Sequence, residues 1–163
     1  MQIKKESIIR PLPTDEEISE REEEWEVTLP SDYKEFLKKY NAGIPQQDSF
    51  VCRGHEYALI RFLGIIDDFE DNEMGEYDIE VVESEIGERL TDNEDLVGME
   101  VVPIAELFAG DYLCLDLRKK HKLFGKKDDT PSVCVWDHEE SGVFDPVTYK
   151  VADSFTDFLN MLH

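Results

Sequence analysis

The side chains best suited to chemistry are four consecutive polar residues, Asp137, His138, Glu139 and Glu140, which directly follow an apolar run. Their carboxylates and imidazole are groups that divalent cations use as ligands. Four consecutive residues seldom all converge on one ion, however, and no second histidine stands at ligand spacing from His138. We therefore interpret them as a charged strand end that enters a loop, and we predict neither a metal site nor a cofactor.

A second candidate is the acidic segment from Asp67 to Glu85, which contains ten acidic residues and no lysine or arginine. It lacks the D-x-[DN]-x-[DN]-G order of a calcium loop, so we expect at most weak ion binding. Residues 67–75 are predicted to form an exposed loop. Apolar residues then recur every three or four positions from Ile79 to Leu90, which predicts an amphipathic helix with an acidic outer face.

Recognisable enzyme signatures are absent from the sequence. It has no G-x-S-x-G turn, no G-x-x-x-x-G-K-[ST] loop and no G-x-G-x-x-G loop. A glycosidase needs two carboxylates across a cleft, one of them with a pKa raised by burial. The sequence neither identifies nor excludes such a pair. The residues therefore indicate a domain with no recognisable active site, and the composition favours a binding role.

Charge is the most unusual property of the chain. It has 17 Lys plus Arg against 39 Asp plus Glu in 163 residues, a formal net charge of -22. Such a chain repels phosphate backbones and anionic lipid heads, so we expect neither nucleic acid nor membrane as a direct partner. A basic protein is a more natural partner because opposite fields accelerate the encounter. The alternative interpretation is that the charge only maintains solubility.

One dense basic patch, Arg118 to Lys127, interrupts this pattern, and we interpret it as a solvated hairpin loop with a single interleaved aromatic residue, Phe124. Cys52, Cys114 and Cys134 are far apart and flanked by apolar residues, which is typical of buried free thiols in a reducing compartment. The N-terminus lacks a signal-peptide core, and no segment has transmembrane length. We therefore expect a cytoplasmic protein.

The remaining chain supplies the elements that position these residues. Residues 1–13 are predicted to be a loose lead-in. Thr14, Ser31 and Ser154 are predicted N-caps of three helices, because each precedes an apolar stripe at helical spacing. Strand-like runs lie between them, and the run from Ser132 to Asp137 is apolar on both faces, as in the interior of a sheet. This order predicts one α+β domain over residues 1–163, with helices packed around a mostly antiparallel central sheet.

Four segments together resemble one family. Leu29-Pro30-Ser31-Asp32-Tyr33-Lys34-Glu35-Phe36-Leu37 with the later Asn41-Ala42-Gly43 is similar to its L-P-x-D-Y-K-x-F-L … N-G-G opening. The run 110–116, GDYLCLD, resembles its glycine-led central strand, and 133–139, VCVWDHE, resembles its V-x-x-W-D-H-E strand. The run 153–159, DSFTDFL, resembles its closing helix. This pattern is that of the SUKH superfamily. Ala42 departs from it where the first glycine is usual, and residues 67–98 match no motif of the pattern.

The resemblance implies a domain that acts by binding and not by catalysis. Bacterial members of the superfamily typically block the toxin domain of a polymorphic secretion system, often a nuclease, whereas a fungal member regulates cell-wall glucan synthesis. We therefore expect an immunity protein with a basic cognate toxin as partner. The alternative is a regulatory protein–protein interaction module. The sequence does not determine the oligomeric state.

Family motifs do not fix the contact residues, so charge and exposure must suggest them. The first choice is the acidic loop, and its candidate residues are Asp67, Asp68, Glu70, Asp71 and Glu73. The second choice is the strand end, and its candidate residues are Asp137, Glu139 and Glu140.

Overall fold

The computed structural model describes residues 1–118 and 130–163. Within them the α-helices are α1 (Asp15–Trp25), α2 (Ser31–Tyr40), α3 (Ile79–Ile86) and α4 (Phe155–Met161). The strands are β1 (Ser49–Cys52), β2 (His55–Phe62), β3 (Val101–Leu107), β4 (Tyr112–Asp116), β5 (Ser132–Trp136) and β6 (Thr148–Ala152). They form one antiparallel sheet of order β1-β2-β3-β4-β5-β6. The predicted α+β class is confirmed. Nearly all of the basic patch at 118–127 lies outside the described residues.

The central strands are buried on both faces because their side chains alternate between two apolar clusters. Leu113 and Leu115 of β4 and Val133 and Val135 of β5 face the main core, which also contains residues of all four helices. Cys114, Cys134 and Trp136 point the other way into a smaller cluster with Leu90 and Val101. All of β5 is buried, as its two-sided apolar pattern predicts. The three cysteines are buried free thiols, also as predicted.

Two of the three predicted helix caps are present. The Thr14 hydroxyl accepts a hydrogen bond from the N–H of Glu17, and the Glu17 carboxylate accepts one from the N–H of Thr14, which completes a capping box at α1. Ser154 caps α4 by accepting from the N–H of Asp157. The cap predicted at Ser31 was wrong, because α2 already begins at that residue and Pro30, which precedes it, makes no side-chain cap.

The N-terminal segment, expected to be a loose lead-in, is docked on the domain. Ile3 and Ile9 are buried, and the N–H of Ile9 donates to the carbonyl of Asn41 at 3.0 Å. The Arg61 guanidinium donates to the carbonyl of Ser7 in the N-terminal segment and to the carbonyl of Ala42 in the turn after α2, so it joins the two. The buried side chains of Ile3 and Ile9 and these hydrogen bonds hold the segment in place.

Ala42 adopts a left-handed backbone conformation, with φ at 55°. Glycine reaches this region without strain, whereas a residue with a Cβ does so at a cost. The turn after α2 therefore has a physical reason to prefer glycine here, which is where this chain departs from the pattern. Ala42 is fully buried beside Ile9 and Ile66, so its methyl group gains contacts that offset part of that cost.

Candidate partner-binding surface

The acidic loop predicted at 67–75 is exposed but not free of the domain. Phe69 is the anchor: it packs with Ile9, Ala42 and Ile66, and the Arg21 guanidinium lies 5.5 Å from the centre of its ring. The side chain of Asn72 accepts from the N–H of Met74 at 2.9 Å, which shapes the second half of the loop. The loop therefore presents its charges on a fixed base.

The carboxylates proposed for the first contact surface all point to solvent. Each of the five residues is exposed, and within residues 1–118 and 130–163 none of them forms an ion pair with a lysine or arginine: Asp67, Asp68, Glu70, Asp71 and Glu73. Several like charges on one short exposed loop create a field that attracts cations. The structure thus leaves this set available for a charged partner.

Asp78, eleven residues into the same acidic run, has a different role, because it is fully buried. Its two carboxylate oxygens accept from both terminal nitrogens of Arg21 at 3.0 and 2.9 Å. They also accept from the backbone N–H groups of Ile66 and Glu80, at 2.8 Å each. Asp78 therefore ties α1, the chain after β2 and the first turn of α3 together. The acidic run is not one continuous contact face, since this member belongs to the core.

At the second candidate surface, two of the sequence motifs meet. His138, after β5, lies against Asp111, before β4: Nδ1 of His138 is 2.6 Å from Oδ1 of Asp111, and the backbone N–H of His138 donates to the same oxygen at 2.9 Å. A Cβ on Gly110 would lie 3.2 Å from Nε2 of His138. Gly110 itself has a φ of 101°. Glycine at this place therefore permits both the backbone turn and the close approach of the imidazole.

Among residues 1–118 and 130–163, Asp111, Asp137 and His138 are the group that could hold a cation, since each offers a ligand atom within 4.8 Å of the others. One oxygen of each aspartate, Oδ1, already has hydrogen-bond partners. Asp111 accepts twice from His138, and Oδ1 of Asp137 accepts from the N–H groups of Glu139 and Glu140 at 2.9 and 3.0 Å. These bonds fix the turn that follows β5.

The carboxylates of this turn differ in exposure. Glu139 and Glu140 are exposed, whereas Asp137 is half-buried with its oxygen engaged by the backbone. The turn is held from behind by Arg89, whose guanidinium donates to the carbonyls of His138 and Ser141. Only two of the three second-choice residues are therefore well disposed toward a partner.

The two candidate surfaces are built on different elements. The loop rests on the chain around Phe69 and Arg21, and the turn rests on Asp111 and Arg89. Sequence reasoning missed Asp111 and Arg89 as supports of the turn. The signal for Asp111 was its place beside Gly110 at the head of a motif strand, but nothing in the spacing connected it to His138, which lies 27 residues away in the chain.

A family comparison matches most of the chain: the SMI1 / KNR4 family (SUKH-1) aligns with residues 12–161. The chain belongs to this family. The match includes all four helices and all six strands. A protein of Bacillus subtilis (strain 168), the SPbeta prophage-derived uncharacterized protein YokK, is 28% identical over 155 residues, covering 91% of this chain and 73% of that protein. No solved structure matches significantly.

Family membership is consistent with immunity proteins and with regulatory binding modules, since the SUKH family is generally non-enzymatic. None of the helices within residues 1–118 and 130–163 has the length and apolar character that crossing a bilayer requires.

Proposed function

We propose that this SUKH-1 protein is a cytoplasmic immunity protein that binds a cognate toxin domain and blocks its activity without catalysis. The observation that carries the proposal is the combination of SUKH-1 membership over residues 12–161 with a net charge of -22. An acidic binding domain attracts a basic partner and raises its association rate. A nuclease is the toxin class that suits this charge best, because a nuclease needs a positive groove for phosphates.

The exposed loop is the proposed first contact surface, through Asp67, Asp68, Glu70, Asp71 and Glu73. Its support comes from exposure and from the absence of ion pairs to these carboxylates among the residues that the structure describes. Asp137, Glu139 and Glu140 remain the second choice, with the two glutamates as its accessible part.

The test is inhibition of a purified toxin domain by this protein, together with the affinity of the complex at low and high salt. The variant reverses three loop charges, Asp68→Lys, Glu70→Lys and Asp71→Lys. We expect an affinity at least about tenfold lower at low salt and a flatter salt dependence, because complementary charges act mainly through long-range attraction that salt screens.

The matched control reverses three exposed charges on α1, Glu16→Lys, Glu20→Lys and Glu23→Lys, and changes the net charge by the same amount. Equal losses of toxin affinity in both triple variants would show that only the overall charge matters. A loop variant with the affinity of the parent would show that the loop is not part of the interface. A complex that leaves the partner's activity intact would favour the alternative function, a regulatory interaction module.

A further inference from the structure

A groove of about 450 Å³ lies on the side of the molecule where α3 ends. One wall is the end of α3 and the following turn, residues 83–91. The opposite wall comes from the segment that leads into β3, residues 93–101, and the turn at Val143 and Phe144 closes one end. The N–H of Phe144 donates to the carbonyl of Glu88 at 2.7 Å, so the end wall is bonded to the first wall.

The groove has apolar surface that water reaches. Val143, at one end of the groove, is 60% exposed, which places it among the most exposed large apolar side chains of the described residues. Ile86, Leu90 and Met99 also line the groove. Exposed apolar area inside a concave site favours a ligand that covers it.

The groove is strongly acidic. Glu83, Glu85, Glu88, Glu94 and Glu100 line it, and none of them forms an ion pair within residues 1–118 and 130–163. Burial, and then the nearby charge of Glu80, raises the pKa of the Glu83 carboxyl above its ordinary value. A cation beside that carboxylate would relieve both effects.

The single arginine of the lining does not neutralise these charges. Arg89 directs its guanidinium to the carbonyls of His138 and Ser141, and it stacks on the Trp136 ring at 5.0 Å from the ring centre. The guanidinium therefore contacts the turn after β5 and not the groove carboxylates. The groove is left with five carboxylates that have no basic partner in the described residues.

We propose that this groove binds an extended, arginine-bearing segment of the partner protein, a proposal that rests on the toxin-binding function and adds a second contact site to it. Arginine fits because its planar guanidinium can bond carboxylates in pairs while its aliphatic stem covers apolar surface. Val143 supplies the most exposed part of that surface, and the glutamates lie in the walls of the same groove.

The position of the groove in the chain supports a role in partner choice. Most of its lining, from Glu83 to Gly98, lies in the part of the sequence that matches none of the four family motifs. Those motifs cover α2, β4, β5 and α4. Glu85, Glu88 and Glu94 lie outside the motifs and are exposed, so their charges can change without disturbing the core, which is what specificity between related partners requires.

The test is an NMR titration of the isotope-labelled protein with an acetylated hexapeptide of alternating arginine and valine. We expect saturable amide shifts confined to residues 83–101 and 143–144. The groove variant is Glu88→Gln with Glu94→Gln, both exposed positions, and its affinity for the hexapeptide should fall about tenfold because two charge-assisted contacts are lost. The control is Glu20→Gln with Glu23→Gln on α1, which changes net charge equally and should retain the parent affinity.

Three results would overturn the proposal: no saturable binding, shifts spread over the acidic surface, or equal losses in both double variants. A peptide with glutamine in place of arginine that binds as well as the first would also overturn it. The toxin-inhibition assay separates the two proposals. If the groove variant inhibits the toxin with the parent's affinity, the groove proposal fails alone. If the hexapeptide binds the groove but no toxin is inhibited, the immunity function fails alone.

Discussion

Asp78 shows how far one residue can depart from the pattern around it. It is one of ten acidic residues in a nineteen-residue run, yet its side chain is fully buried and accepts four hydrogen bonds. A buried carboxylate is tolerated only when it is paired and bonded, and Arg21 supplies that pairing. The same run therefore supplies both surface charge and a core contact.

Replacing Asp78 by asparagine should be strongly destabilising. Asp78→Asn leaves the Arg21 guanidinium, which is 12% exposed, without its buried counter-charge, and removal of one partner of such a pair costs about 3 kcal/mol or more. Urea unfolding of the parent and the variant measures the loss.

The control for this experiment is Glu80→Gln. Glu80 also pairs with Arg21, at 3.2 Å, but its side chain is 38% exposed, so the loss should stay below about 1 kcal/mol. Similar free energies of unfolding for the two variants would contradict the assignment of Asp78 as the buried anchor.

At the scale of the elements, close backbone approaches fix how the segments meet. Gly98, just before β3, has a φ of 86°, and a Cβ there would lie 2.1 Å from the carbonyl oxygen of Trp25 at the end of α1. The N–H of Met99 donates to that same oxygen at 2.9 Å. The entry to β3 is thus set by contact with α1, and it also places one wall of the groove.

Gly98→Ala should therefore combine two penalties. The left-handed backbone alone costs a non-glycine residue about 1–2 kcal/mol. The overlap of the new Cβ with the Trp25 carbonyl adds to this penalty, because the backbone of one of the two segments must move. We expect a total loss of about 3 kcal/mol or more, measured by thermal or urea unfolding.

Gly54→Ala is the matched control, because Gly54 has a φ of 73° and nothing lies within 4 Å of its Cβ position. It should lose only the backbone penalty, about 1–2 kcal/mol. Equal losses of unfolding free energy in the two variants would mean that the backbone at the entry to β3 can move away from α1 at little cost.

For the whole molecule, the dominant physical property is the net charge of -22. Like charges repel one another in the folded state more strongly than in the expanded chain, so self-repulsion reduces stability. The ion pairs at the described surface are few by comparison, and Lys38 with Asp15 and Glu35 is the clearest cluster of them. The fold tolerates this charge because its core is well packed on both faces of the sheet.

Added salt should therefore stabilise the free protein and weaken its proposed complex. Screening over about 8 Å at physiological ionic strength reduces the internal repulsion, so the melting temperature should rise by several degrees between low and moderate salt. The affinity for a basic partner should fall over the same range. Calorimetry and binding isotherms at matched salt concentrations measure both. A melting temperature that falls with salt would contradict the view that repulsion limits stability.

The sequence by itself determined the class of fold, the main elements and the character of the surface. Hydrophobic periodicity located α3, and two-sided apolar alternation placed β5 inside the sheet, since burial of apolar faces is a local pattern repeated along the chain. The four motifs indicated the SUKH superfamily, and membership is confirmed by the match to its SMI1 / KNR4 family (SUKH-1).

Only the tertiary structure decided which charges are available to a partner. Asp78 is bonded to Arg21, which lies 57 positions before it in the chain, and Asp111 is bonded to His138, which lies 27 positions after it. No local sequence pattern predicts contacts over such separations. The groove beside α3 likewise arises where three separate segments meet, from residues 83 to 144. Composition gives the total charge, but the free energy of a contact depends on solvent exposure and on neighbours, and those are set by how the elements pack.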